Sequence, residues 1–202
     1  MHNTTTVNKS LFKHAEIAYF FKFLVFMPLL YYFNIFYIAI TDSNGQLYSS
    51  FLDNYLNYIS WLRFSILHTA NWIVQGFELT SYISDIYTLS VLQGPGVIIG
   101  YTCLGYGVMS FWIAFILAQD DNWQKKATWC LVGVVGIWFI NCWRVAILLI
   151  ALAKEWEVNK YINHHDMFNV VVYALIIMLI YMYYKQGEKG LQLHKKSTTN
   201  LK

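Results

Sequence analysis

Residues 127–153, ATWCLVGVVGIWFINCWRVAILLIALA, form an unbroken apolar run in which Arg144 is the only ionised side chain. A helix of about 20 apolar residues crosses a bilayer, so this run is long enough to span one. Three more stretches are apolar and long enough, or nearly so, to do the same: Ile17 to Ile40, Leu104 to Ala118 and Met167 to Tyr184. The pattern predicts an all-α membrane protein, a polytopic bundle of about four to five transmembrane helices.

Composition supports this reading. The chain is 57% apolar, 19% aromatic and only 12% charged, with a mean hydropathy of +0.41. That leaves too little polar surface to clothe a soluble globule of 202 residues. The length accommodates one integral-membrane domain over residues 1–202, with 1–14 and 187–202 as flexible cytoplasmic ends. Residues 17–40 are too long and too aromatic for a removed secretory signal and read as a retained anchor. The net charge of +3 is small and most of its lysines lie near both ends and beside one short loop. Nucleic acid is therefore not an expected partner, whereas the anionic inner lipid face is. Three cysteines, Cys103, Cys130 and Cys142, make an odd count without a disulfide framework.

The lysines orient the bundle. Lys9, Lys13 and Lys22 precede or open the first span, Lys125 and Lys126 lie between the second and third, and Lys185, Lys189, Lys195 and Lys196 follow the fourth. All three groups fit the cytoplasmic side of a four-span protein in the plasma (inner) membrane. Residues 41–102 and 154–166 then lie outside. From Phe51 to Phe77 apolar residues recur at roughly helical spacing, as in Leu52, Tyr55, Leu56, Ile59, Leu62, Phe64 and Ile66, interrupted by Asp53, Arg63, His68 and Glu78. This predicts an amphipathic helix on the outer interface, although a span remains open as an alternative. Ile86 to Leu92 and Val97 to Tyr101 are β-branched and aromatic runs on either side of Gln93-Gly94-Pro95-Gly96, which predicts a small β-hairpin before Cys103.

Depth distinguishes the cysteines. Cys103 opens the second span at its outer end, where the unpaired amides of a helix N-terminus and a nearby cation favour thiolate. Cys130 and Cys142 fall inside the third span. Arg144 lies deep in an apolar helix, where a charge costs several kcal/mol unless it meets a partner or a wet cavity. Asn141 precedes it by one turn on the same face. His165 stands just before the fourth span between His164 and Asp166, so a carboxylate could orient an imidazole able to act as base toward a thiol. The plainer readings stay open: a lone cysteine as a small hydrophobe, an arginine snorkelling to headgroups, a solvated His-Asp pair. His164, His165 and Asp166 are a poor metal set, since no HExxH spacing is present.

The order of these residues resembles a known family. Thr102-Cys103-Leu104-Gly105-Tyr106-Gly107-Val108-Met109 resembles the exosortase and archaeosortase pattern, a cysteine followed by glycine and small residues opening a transmembrane helix. Asn141-Cys142-Trp143-Arg144-Val145 is similar to that family's Asn-x-x-Arg-Ile element. His165, Asn169 and Tyr173 resemble its histidine, glycine and aromatic spaced four apart, with asparagine in the glycine's place. The likeness runs roughly from Val91 to Tyr184. It implies a membrane cysteine peptidase or transpeptidase without a cofactor, acting at the extracytoplasmic face. Its partners would be secreted proteins bearing a C-terminal sorting signal: a short motif, a hydrophobic helix and a basic tail. Cys103 would be the nucleophile, Arg144 the holder of the thiolate or the developing oxyanion, and His165 the proton shuttle. Asn141, His164 and Asp166 would support them. The alternative is a non-enzymatic assembly or transport subunit in which Arg144 and Asn141 join helices.

Overall fold

The computed structural model describes the backbone of residues 4–43, 45–156 and 164–199, and the side chains of 16–43, 45–101, 103–156 and 169–186. The chain divides into two compact units, Met1–Trp156 and Glu157–Lys202.

In the first unit, the apolar runs become helices α1 (Thr4–Thr41), α4 (Tyr106–Ala118) and α5 (Trp123–Ala153). Within α1 the segment Glu16–Thr41, and in α5 the whole helix, are long and apolar enough to cross a membrane, whereas α4 has 13 residues. α1 and α4 run antiparallel: Phe23 meets Phe111 and Tyr19 meets Phe115 edge to face, and Lys22 pairs with Asp120 just beyond the end of α4. α4 and α5 approach closely at Gly133, where any Cβ would run into the Trp112 indole. The Trp112 indole N–H is satisfied there by the Trp129 carbonyl at 2.8 Å.

Between α1 and α4 the chain forms two helices and a sheet. α2 (Ser50–Leu56) and α3 (Tyr58–Gln75) are separated at Asn57, whose side chain caps α3 by accepting from the Ser60 amide at 2.9 Å. α3 buries Ile59, Arg63, Ile66, Leu67, Ala70, Ile73 and Val74. It packs along α5, with the Trp138 indole N–H donating to Ser65 Oγ at 3.0 Å. Its outward face carries Trp61, Phe64 and Trp72, an aromatic composition suited to a membrane–water boundary. The expected apolar stripe of this region therefore mixes two faces. Ile59 and Ile66 point inward, but Tyr55, Leu56 and Phe64 are exposed, and Arg63, expected to interrupt the stripe, is buried in it.

The expected hairpin is present as part of a three-stranded antiparallel sheet, β1 (Ser81–Ile83), β2 (Thr88–Val91) and β3 (Gly96–Ile98), in the order β1-β2-β3. Leu89 pairs with Ile83 on one side and Val97 on the other. Leu89, Val91, Val97 and Ile99 join the α3–α5 core, while Thr88 and Ser90 alternate away from it. The strand β3 then delivers the chain to a 3₁₀ turn, Tyr101–Leu104.

The second unit is the helix α6 (His164–Thr199), which holds the apolar segment Asn169–Gln186. The molecule is thus a mostly helical membrane protein that has, among the described residues, three helices of spanning length, one shorter apolar helix and a small sheet.

Candidate functional site

The backbone around Cys103 is set by its neighbours. Ile99 and Leu104 are fully buried and anchor the 3₁₀ turn at both ends. Within the turn the Cys103 amide donates to the Gly100 carbonyl at 3.0 Å. Gly105 then takes φ +76°, the left-handed region, which redirects the chain into α4. Cys103 itself is half-buried and packs against the α3–α5 core. One expectation is corrected here. α4 starts at Tyr106 with Gly105 as its N-cap, so Cys103 precedes the helix rather than occupying its first turn. The helix-terminus argument drawn from the sequence therefore does not apply to Cys103.

Asn141 supplies the link to α5. Its side chain is buried, and Nδ2 donates to the Leu104 carbonyl at 3.2 Å. A Cβ on Gly105 would collide with that same Nδ2, so the nitrogen end of the amide abuts the glycine. The turn carrying Cys103 is therefore clamped onto the third residue before Arg144. Arg144 follows on the same strip of α5, half-buried. Cys142 is fully buried in the α3–α5 core, and Cys130 lies near the opposite end of α5. All three cysteines are free thiols.

His164, His165 and Asp166 form the first residues of α6 by backbone, and their side chains lie outside the described residues. Of the expected tetrad, the structure brings together the Cys103 turn, Asn141 and the strip bearing Arg144. Among the described residues no group of three or more His, Cys, Asp or Glu side chains is arranged to hold a metal ion.

A second cation borders the same turn. Arg63 of α3 is 3% exposed, and its guanidinium carbon lies 4.3 Å from the Tyr87 ring centroid and 4.8 Å from that of Tyr101, the first residue of the 3₁₀ turn. Burial raises the Tyr101 phenol above its usual range, with the adjacent Arg63 opposing the rise. By residue type alone Arg63 is a polar interruption of the apolar spacing. The signal that finds it is its phase: it lies four residues after Ile59 and three and four before Ile66 and Leu67, on the buried stripe.

Comparison with curated proteins and with solved structures finds no match. A family model described as "Transmembrane exosortase" matches residues 46–182, a range that includes the Cys103 turn, Asn141, Arg144 and the start of α6. With more than half of the chain matched, in the segment that builds this site, the protein belongs to the transmembrane exosortase family.

Proposed function

We propose that this exosortase family member is a membrane cysteine peptidase or transpeptidase that cleaves the C-terminal sorting signal of secreted proteins at the outer face of the membrane. The observation that carries the reading is the Asn141 clamp, which ties the one half-buried cysteine outside the spanning helices to the helix bearing Arg144. The length of α4 agrees with it. Its 13 residues rise about 20 Å, short of a hydrocarbon core of about 30 Å. With its far end level with the Lys22–Asp120 pair, the Cys103 turn sits within the outer half of the bilayer. A scissile bond at the edge of a signal helix would be presented at that depth.

In this mechanism the Cys103 thiolate attacks the scissile carbonyl, and the developing oxyanion is neutralised by Arg144. His165 takes the thiol proton and passes it to the departing amine as the C–N bond breaks, leaving a thioester. Water or an acceptor nucleophile resolves the thioester and regenerates the thiol. Asn141 keeps the turn and Arg144 in register, and His164 and Asp166 flank the base.

The test is processing of a co-expressed secreted protein bearing a motif, a hydrophobic helix and a basic tail, followed by its shift in mass. Cys103→Ala is expected to abolish processing, whereas Cys142→Ala leaves it within about twofold. Full processing by Cys103→Ala overturns the proposal.

A further inference from the structure

The spanning helices fix the depth of the break between α2 and α3. Tyr58, the first residue of α3, donates to Asn34 Oδ1 of α1 at 2.7 Å, and Asn34 in turn donates to Ser110 Oγ of α4 at 3.2 Å. Before the break, the Leu56 carbonyl accepts from the Tyr37 hydroxyl of α1 at 2.6 Å. At 1.5 Å per helical residue, Asn34 stands about 18 Å from Lys22, and Ser110 stands about 12 Å from the Ala118 end of α4.

α5 gives the same depth independently. Trp138, the middle residue of Trp123–Ala153, donates to Ser65, and one turn further along both helices Cys142 meets Thr69. α3 and α5 therefore rise in the same direction. Trp138 stands about 22 Å from the Trp123 end, and Tyr58 begins about 10 Å below Ser65. All three helices set the break roughly 12–18 Å above the lysine-bearing end of the spans, near the middle of a hydrocarbon core of about 30 Å.

A break in a helix at that depth is tolerated only where the protein itself satisfies the freed polar groups. Asn57 is 5% exposed. Its Oδ1 accepts from the Ser60 amide at 2.9 Å, and its Nδ2 donates to Asp53 at 2.7 Å, whose carboxylate also accepts from the Tyr48 hydroxyl at 2.9 Å. Arg63, the cation of the first half of α3, is buried. From Phe51 to Phe64 the exposed residues are Phe51, Asn54, Tyr55, Leu56, Trp61 and Phe64, and none is charged. They stand at the level where α1 also exposes Phe33 and Phe36. A helix lying flat on the interface would not run beside the middle of α5 or close onto Asn34.

We propose that α2 and α3 form a re-entrant hairpin, entering the outer leaflet from the end that carries the Cys103 turn and leaving by the same side. Asn57 sits near the mid-plane, and the face from Phe51 to Phe64 lies against lipid acyl chains. α3 then leaves the hydrocarbon near His68, and Trp72, about 16 Å from Trp61 along the helix, stands at the boundary. This placement is independent of the peptidase reading.

The experiment puts one nitroxide at a time on the full-length chain in phosphatidylcholine vesicles, with Cys103, Cys130 and Cys142 replaced by alanine. Labels at Tyr55→Cys, Phe64→Cys, Trp72→Cys and Gln93→Cys are read for collision with oxygen, which concentrates in hydrocarbon, and with a neutral nickel chelate, which stays in water. The oxygen-to-nickel ratio is expected to be at least tenfold higher at Tyr55 and Phe64 than at Gln93, with Trp72 between them. Ratios at Tyr55 and Phe64 within twofold of that at Trp72 would mean a helix lying along the interface and overturn the proposal. Weak collision with both reagents at Tyr55 and Phe64 also overturns it, since another protein surface would then cover the face. Should the cysteine-free chain fail to fold, benzoylphenylalanine at Phe64 in the otherwise unchanged chain decides: photo-adducts with phospholipid acyl chains support the hairpin, and their absence overturns it.

Discussion

Gly105 carries two demands on one residue. Its φ of +76° costs an ordinary L-residue roughly 1–2 kcal/mol, and a Cβ there collides with the Asn141 amide. Gly105→Ala should therefore lower stability by about 1–3 kcal/mol, read by thermal unfolding in detergent, and reduce substrate processing at least tenfold. Adding Asn141→Ala removes the collision but not the backbone strain. The double variant is thus expected to recover part of the lost stability relative to the sum of the single changes, and strict additivity would refute the close packing. Asn141 and Arg144 could be put on one face from their spacing alone, and Cys103 close to one end of an apolar helix from hydropathy. The clamp itself was not legible, since it depends on a left-handed residue and a carbonyl that no periodic pattern encodes. Arg63 was illegible for another reason: a charge in an apolar pattern reads as an interruption, although its helical phase places it among Ile59, Ile66 and Leu67.

At the scale of elements, three helices meet at Asn34. Its Nδ2 donates to Ser110 Oγ of α4 at 3.2 Å and to the Leu30 carbonyl at 2.7 Å, and its Oδ1 accepts from the Tyr58 hydroxyl of α3 at 2.7 Å. Burial, with a smaller contribution from nearby Tyr37, pushes the Tyr58 phenol up to about 12. An unfolded tyrosine titrates near 10. The folded state keeps its proton longer, so this group's contribution is complete below about pH 10 and is lost as pH rises from there to about 12. The unfolding temperature should fall across that window more steeply in the wild-type chain than in Tyr58→Phe, which begins lower because it lacks the hydrogen bond to Asn34. Parallel curves would show that the phenol does not titrate from this buried position. The apolar segments were readable to within a few residues, because length and hydropathy alone define them, whereas the helices α1 and α6 run well beyond them, from Thr4 and to Thr199. The break at Asn57 and the strand β1 were not. The first is a cap inside a continuous pattern, and the second is three residues that become a strand only when β2 lies beside them.

At the scale of the whole molecule, sidedness decides whether Cys103 can meet a secreted substrate. α1 and α4 run antiparallel, so the Lys22–Asp120 pair and the 119–122 connection lie at one end, and the Cys103 turn and the sheet at the other. Lys125 and Lys126 open α5 at the first end, where Lys125 pairs with Asp121 at 2.9 Å and Lys126 donates to the Leu117 carbonyl at 3.1 Å. Lysines concentrated at one end of short connections favour retention in the cytoplasm, and burying them on the far side would oppose the membrane's own charge asymmetry. Single-cysteine chains test this with a membrane-impermeant maleimide on intact cells. Gln93→Cys, in the β2–β3 turn, is expected to label at once, and Asn122→Cys only after permeabilisation. The reverse pattern would put the Cys103 turn on the cytoplasmic side. Arg144 and Asn141 would then still join helices, but a thiolate there would never encounter an exported chain, and the subunit-like role would become the better account of the same geometry.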